Sequence, residues 1–139
     1  MELIGAFGQI AASRQAAKAN RAAGQADAEA LRAKAEEAES KAKDEELLRL
    51  QNLRLTMATQ RAYWAAAGLD ASTGSPTTIA NRSLETFKLD QGAALINTRA
   101  QIRSFNNQAN NAIKIGNIRA KGSIMAGYAG AANTIADSM

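Results

Sequence analysis

The chain of 139 residues contains no cysteine and no histidine, a single proline, and only 4% aromatic residues. Without cysteine there are no disulfides and no thiolate metal sites. Without histidine the side chain best suited to moving protons near neutral pH is missing. No run of about 20 apolar residues occurs, so a conventional membrane-spanning helix is not expected. Glu2 stands where a secretory leader would be basic, and the apolar run from Leu3 is short and interrupted, so no leader is expected. No phosphate-binding GxxxxGK[ST], no GxGxxG after a strand, no HExxH and no GxSxG is present. The acid pairs Glu36-Glu37 and Glu45-Glu46 fall in polar surroundings with no apolar pocket to raise a pKa, so they read as surface charges. The expectation is a non-enzymatic chain with no catalytic residues, cofactor, metal or small-molecule substrate.

What is present is helix-forming sequence in two long stretches, divided at Gly68-Leu69-Asp70-Ala71-Ser72-Thr73-Gly74-Ser75-Pro76. Gly68 is a helix stop, because glycine enters the left-handed region without steric cost. Ser75 offers a capping oxygen, and Pro76 suits the first helical position, where no N–H is needed. Leu69 stands where a Schellman motif places its apolar contact, back on Trp64. Trp64, Gly68, Leu69, Gly74, Ser75 and Pro76 are therefore the expected turn and anchor.

The expected organisation is an apolar, glycine-containing segment at 1–12, a long helix at 13–67, a turn at 68–75, a second helix at 76–121 and a Gly/Ala-rich tail at 122–139. In the first segment, Gly5 and Gly8 argue against a rigid helix, while Ile4, Phe7 and Ile10 could meet a partner or a membrane surface. Residues 13–46 are an Ala/Glu/Lys/Gln arm of strong helix formers, with Glu37–Lys41 and Glu39–Lys43 in the favourable order. Leu50, Leu53, Met57, Gln60, Trp64 and Ala67 alternate three and four residues apart, a coiled-coil stripe that Leu47, Leu48 and Leu55 would widen. Ile79, Leu84, Phe87, Leu95, Ile102 and Phe105 form the apolar side of the second helix. From Leu95 the stripe continues through Thr98, Ile102, Phe105, Ala109 and Ala112. Leu50, Leu53, Met57, Leu95, Ile102 and Phe105 are the expected helix–helix interface. The fold class is all-α, a helical hairpin assembling as a coiled-coil-like homo-oligomer, because so much of the 46% apolar content is alanine, which buries little area.

The second helix is rich in amides despite their poor helix propensity, and Asn97, Gln101, Asn107, Asn110 and Asn111 are the candidates for a polar lumen or a DNA-facing surface. Within the net charge of +4, residues 77–121 hold seven bases against Glu85 and Asp90, and residues 25–46 hold eight acids against four bases. A basic helix can follow phosphates or face the acidic arm of a neighbour. The tail pairs Gly122–Ala126, Ala126–Gly130 and Gly127–Ala131 permit close helix approach.

The run Arg61-Ala62-Tyr63-Trp64-Ala65-Ala66-Ala67-Gly68-Leu69-Asp70, then Gly74-Ser75-Pro76, Leu84-Glu85, Asp90 and Ile96-Asn97-Thr98-Arg99, resembles the small internal core proteins of short-tailed bacteriophages, the ejection proteins. The resemblance covers roughly residues 58–130 and includes the amide-rich helix and the Gly/Ala-rich end. It implies a protein packaged in the virion interior and expelled at infection into the host envelope, at the periplasm and outer membrane. There it would form part of a conduit for the genome. It further implies partners among copies of itself and other virion, ejection or portal-tail proteins, with transient contact to viral DNA, contact with the host membrane, and no catalytic residues. Two other readings of the same residues are a non-catalytic helical adaptor of a virion head or tail, and a helical DNA-binding protein. If Trp64 anchors the turn, Trp64→Ala lowers the melting temperature of the hairpin, as followed by circular dichroism; an unchanged melt refutes the anchor.

Overall fold

The computed structural model describes residues 2–70, 72 and 74–136, with the side chains of residues 2–4 and 135 excepted. Among the described residues there are two elements, both helical: α1 (Glu2–Ala66) and α2 (Ser75–Ala136). The chain is all-α, and its two helices pack against each other. Contacts divide it into two units. An alanine-seamed unit joins residues 1–35 to residues 103–139, and a turn unit comprises residues 36–102.

Both helices run further than the sequence suggests. Residues 2–12 belong to α1, although Gly5 and Gly8 argued against a rigid helix there. Each glycine costs a helix up to about 1 kcal/mol, a price the alanine-rich neighbours and the docking of buried Ala6 offset. Residues 122–136 likewise continue α2 rather than forming a separate tail, with Ala120 and Ala131 buried on either side of Gly122. Residues 137–139 of the expected tail, and the Ile4 side chain expected to meet a partner, lie outside the described set.

In the alanine-seamed unit the fully buried hydrophobic residues are all alanines: Ala6, Ala17, Ala28 and Ala35 on α1, and Ala109, Ala120 and Ala131 on α2. The partners across the seam run in opposite order, Ser13 by Gly127, Asn20 by Ser123 and Gly24 by Gly116, so the helices are antiparallel here. Ala6, Ala17 and Ala28 are spaced by eleven residues, as are Ala109, Ala120 and Ala131. An eleven-residue repeat has 3.67 residues per turn and favours right-handed supercoiling, unlike the heptad spacing read from the sequence. The backbones nearly touch at Gly24 and Gly116. A Cβ on Gly24 would lie 2.8 Å from the Ala112 carbonyl oxygen and 3.0 Å from Gly116 Cα. One on Gly116 would lie 2.9 Å from the Asn20 carbonyl oxygen. Asn20 Nδ2 donates across the seam to Ser123 Oγ at 3.0 Å.

In the turn unit, Leu50, Leu53, Met57, Gln60 and Trp64 of α1 are half-buried, as are Phe87, Ala94, Thr98 and Ile102 of α2. Gln60 Nε2 donates to Ser83 Oγ at 3.5 Å, and the Gln91 amide donates to the Glu46 carboxylate. Leu47, Leu48 and Leu55 do not widen the stripe; they are exposed, as are Ile79, Leu84 and Leu95. Helical geometry explains Leu48 and Leu55, because each falls two residues from a stripe position, about 200° around the axis.

The substitution Gly→Ala is expected to change sign with position. Gly92→Ala meets nothing within 4 Å and should raise the melting temperature through a helix-propensity gain of about 1 kcal/mol. Gly24→Ala must push apart two backbones and should lower it by a net loss of roughly 1–2 kcal/mol. Parallel thermal melts by circular dichroism at equal protein concentration check both signs.

Candidate functional site

The elbow between the helices is built by local hydrogen bonds. Gly68 takes φ +73°, Leu69 N–H donates to the Trp64 carbonyl at 2.9 Å, and Gly68 N–H donates to the Ala65 carbonyl at 3.1 Å. These two bonds are the pattern of a Schellman motif, with Gly68 as the left-handed residue. Leu69 itself remains exposed, while the Tyr63 and Trp64 rings meet edge to face with centroids 5.5 Å apart. Thr78 N–H donates to the Gly74 carbonyl at 3.3 Å, and Gly74 has φ +67°. Gly74 therefore stands at the N-cap, with Ser75 first and Pro76 second in α2, one step from the placement expected. Pro76 fits at either position, because none of the first N–H groups of a helix has an intrahelical acceptor. Asp70 Oδ1 accepts from Ser72 N–H at 2.9 Å and from Ser72 Oγ at 2.6 Å. The Ser72 hydroxyl, then its backbone N–H, hold the Asp70 carboxyl below its ordinary pKa.

The five amides singled out on α2 are all exposed and divide between the two units. Asn97 and Gln101 share one face of α2 in the turn unit, being four residues apart. Asn107, Asn110 and Asn111 border one face in the alanine-seamed unit, being three and four residues apart, with Asn107 between the other two. Of the six expected interface residues, Leu50, Leu53, Met57, Ile102 and Phe105 are half-buried and Leu95 is 49% exposed. Leu95 sits instead at the edge of a shallow hollow of about 440 Å³ in the turn unit, together with Glu39, Lys43, Glu46, Lys88 and Arg99. The mixed signs of these groups define no single ligand charge. No cluster of acids able to hold a metal ion exists among the described residues.

The cations of α2 (Arg82, Lys88, Arg99, Arg103, Lys114, Arg119 and Lys121) are exposed. The ion pairs among the described residues are Lys43–Glu39 at 3.0 Å and Arg49–Glu45 at 3.7 Å, both within α1. The basic side chains of α2 thus make no ion pair among the described residues.

The alanine-seamed unit also assembles a feature that residue-by-residue reading separated. No charge occurs from Leu3 to Ser13 or from Gly122 to Ala136, and the antiparallel seam packs these two stretches together. Phe7, Met125 and Tyr128 are exposed on this uncharged end. Beside it stand Arg14, Lys18 and Arg21 of α1 and Arg119 and Lys121 of α2, with no acid between residues 3 and 26. The signal was present as two charge-free runs bordered by cations, legible only once the hairpin register is known. No helix among the described residues is long and apolar enough to cross a membrane.

Compared with models of known families, with curated proteins and with solved structures, the chain matches none.

The Asp70 turn has a definite pH signature. Its lowered folded-state pKa contributes stability at pH values above the ordinary carboxylate range, and that contribution is lost as pH falls through the folded value. Asp70→Asn should remove this component, giving a flatter melting-temperature profile than the parent between about pH 2 and pH 6.

Proposed function

We propose that this chain is an internal virion protein of the ejection type, packaged in a phage particle and released at infection. After release it assembles with copies of itself into part of a conduit for genome delivery across the host envelope. The observation that carries the reading is what the hairpin leaves uncovered. The chain exposes 10335 Å², whereas a folded monomer of 14.6 kDa exposes roughly 6,900 Å². Among the described residues no large side chain is fully buried, and fifteen large hydrophobic ones are exposed. A surface of this kind is completed by neighbours, and the turn residues that resemble the ejection proteins indicate which neighbours: sister subunits and other virion proteins.

The uncharged end supports the envelope part of the reading. Exposed apolar side chains next to a group of cations suit the boundary between an anionic headgroup layer and its hydrocarbon. Amides on the remaining surface of α2 suit passing DNA, because they hydrogen-bond without the tight phosphate pairing that lysine and arginine impose. No residue is assigned a chemical step; the activity is assembly and passage.

Quantitative mass spectrometry of purified particles tests the proposal. The expected result is several copies per intact particle and their loss from particles that have discharged their DNA. Absence from intact particles, or full retention after discharge, overturns it.

A further inference from the structure

We infer that the outward faces of the turn unit pair with each other between copies, the α1 face of one copy seating on the α2 face of the next. The inference rests on the self-assembly proposed above and names the surfaces that carry it. On α1, Leu48 and Leu55 are seven residues apart and therefore share a face. Each is two residues from a contact residue, Leu50 or Leu53, so that face points about 200° away from the hairpin contact. On α2, Leu89 and Ile96 repeat the arrangement, two residues beyond Phe87 and Ala94. These four side chains are 58%, 68%, 75% and 68% exposed, more than most apolar residues of the unit.

The two faces match in level and in charge. The Gln60–Ser83 and Gln91–Glu46 hydrogen bonds set the antiparallel register. In that register the level of Leu48 falls between Leu89 and Ile96, and the level of Arg99 falls between Glu37 and Asp44. Copies placed side by side at equal height thus set Leu48 into the gap between Leu89 and Ile96. The same placement sets Arg99 between two acids. Glu37, Asp44 and Arg99 are exposed and make no ion pair among the described residues. A contact that joins two different faces is heterologous and propagates from copy to copy until it closes a ring or continues as a row.

The test uses the full chain and two double variants, Leu48→Lys with Leu55→Lys, and Leu89→Lys with Ile96→Lys. All four positions are solvent-facing, so helicity by circular dichroism should match the parent. In sedimentation velocity the parent should form large assemblies, and each variant alone should run as a monomer. An equimolar mixture of the two should form a complex of two chains, because each retains the face that the other lacks. Asp44→Arg should weaken assembly roughly fivefold, and Arg99→Asp in the same chain should restore it. Variants that still reach the parent's mass, or a mixture that stays monomeric, overturn this pairing while leaving self-assembly intact. A parent chain that is monomeric at every concentration overturns the pairing and the proposed assembly together.

Discussion

The structure depends on how closely two helix backbones approach at Gly24 and Gly116. A gap that would place an added Cβ 3.0 Å from the opposite Cα admits nothing larger than alanine along the neighbouring turns. That fixes the seam as Ala17 and Ala28 facing Ala109 and Ala120. Close packing of small side chains gains dispersion contacts between backbones, but each alanine removes only one methyl from water, worth about 0.8 kcal/mol. Ordering one backbone residue costs about 1–2 kcal/mol. A seam of this composition sets register and spacing more than it supplies stability. In this unit the larger apolar side chains Phe7, Ile115, Ile118, Met125 and Tyr128 are exposed.

How much of this was legible follows from the size of the side chains. The elbow was readable because Gly68 and Pro76 act through backbone geometry, which sequence states directly. The contact stripe from Leu50 to Trp64 was readable because its side chains are large and their three-four alternation has little competition. The alanine seam was not readable, because alanine is at once the best helix former and the seam residue, so that buried and exposed alanines look alike. Glycine misled in the same way. Gly5 and Gly8 resembled helix breakers yet lie in α1, whereas Gly116 read only as the start of a glycine-containing tail and Gly24 as one residue of a polar arm, and the two mark a close approach of the backbones. Leu48 and Leu55 were assigned to the contact by hydrophobicity, although their phase on the helix places them elsewhere; Leu47, three residues from Leu50, borders the stripe and is exposed all the same. The five amides read as a candidate lumen or DNA-facing surface are exposed and fall in two groups, one in each unit, a division that composition does not reveal.

Charge is arranged along the hairpin as deliberately as size. The acids of residues 25–46 follow a stretch of α1 that carries only cations, and the α2 segment packed beside that stretch is also basic. Ion pairs among the described residues join i,i+4 partners on α1, which contribute about a few tenths of a kcal/mol each. Such pairs stiffen the helix without tying it to α2. The cations of α2, exposed and without an ion pair among the described residues, set up a field effective over roughly 8–10 Å at physiological salt.

The geometry of the turn unit also bears on how such hairpins associate. Its two outward faces are turned about 200° from the contact stripe on their own helices, so they point in nearly opposite directions. A copy joined by heterologous contacts on opposite sides adds to its neighbours with little rotation per step. Little rotation per step closes only after many copies, and many copies side by side enclose a wide opening instead of a packed core. A bundle of a few helices with inward-facing apolar stripes would instead fill its own centre. If copies pair through these faces as proposed, the turn units would line up as alternating antiparallel helices, a row that leaves its sides open where a bundle would fill its centre.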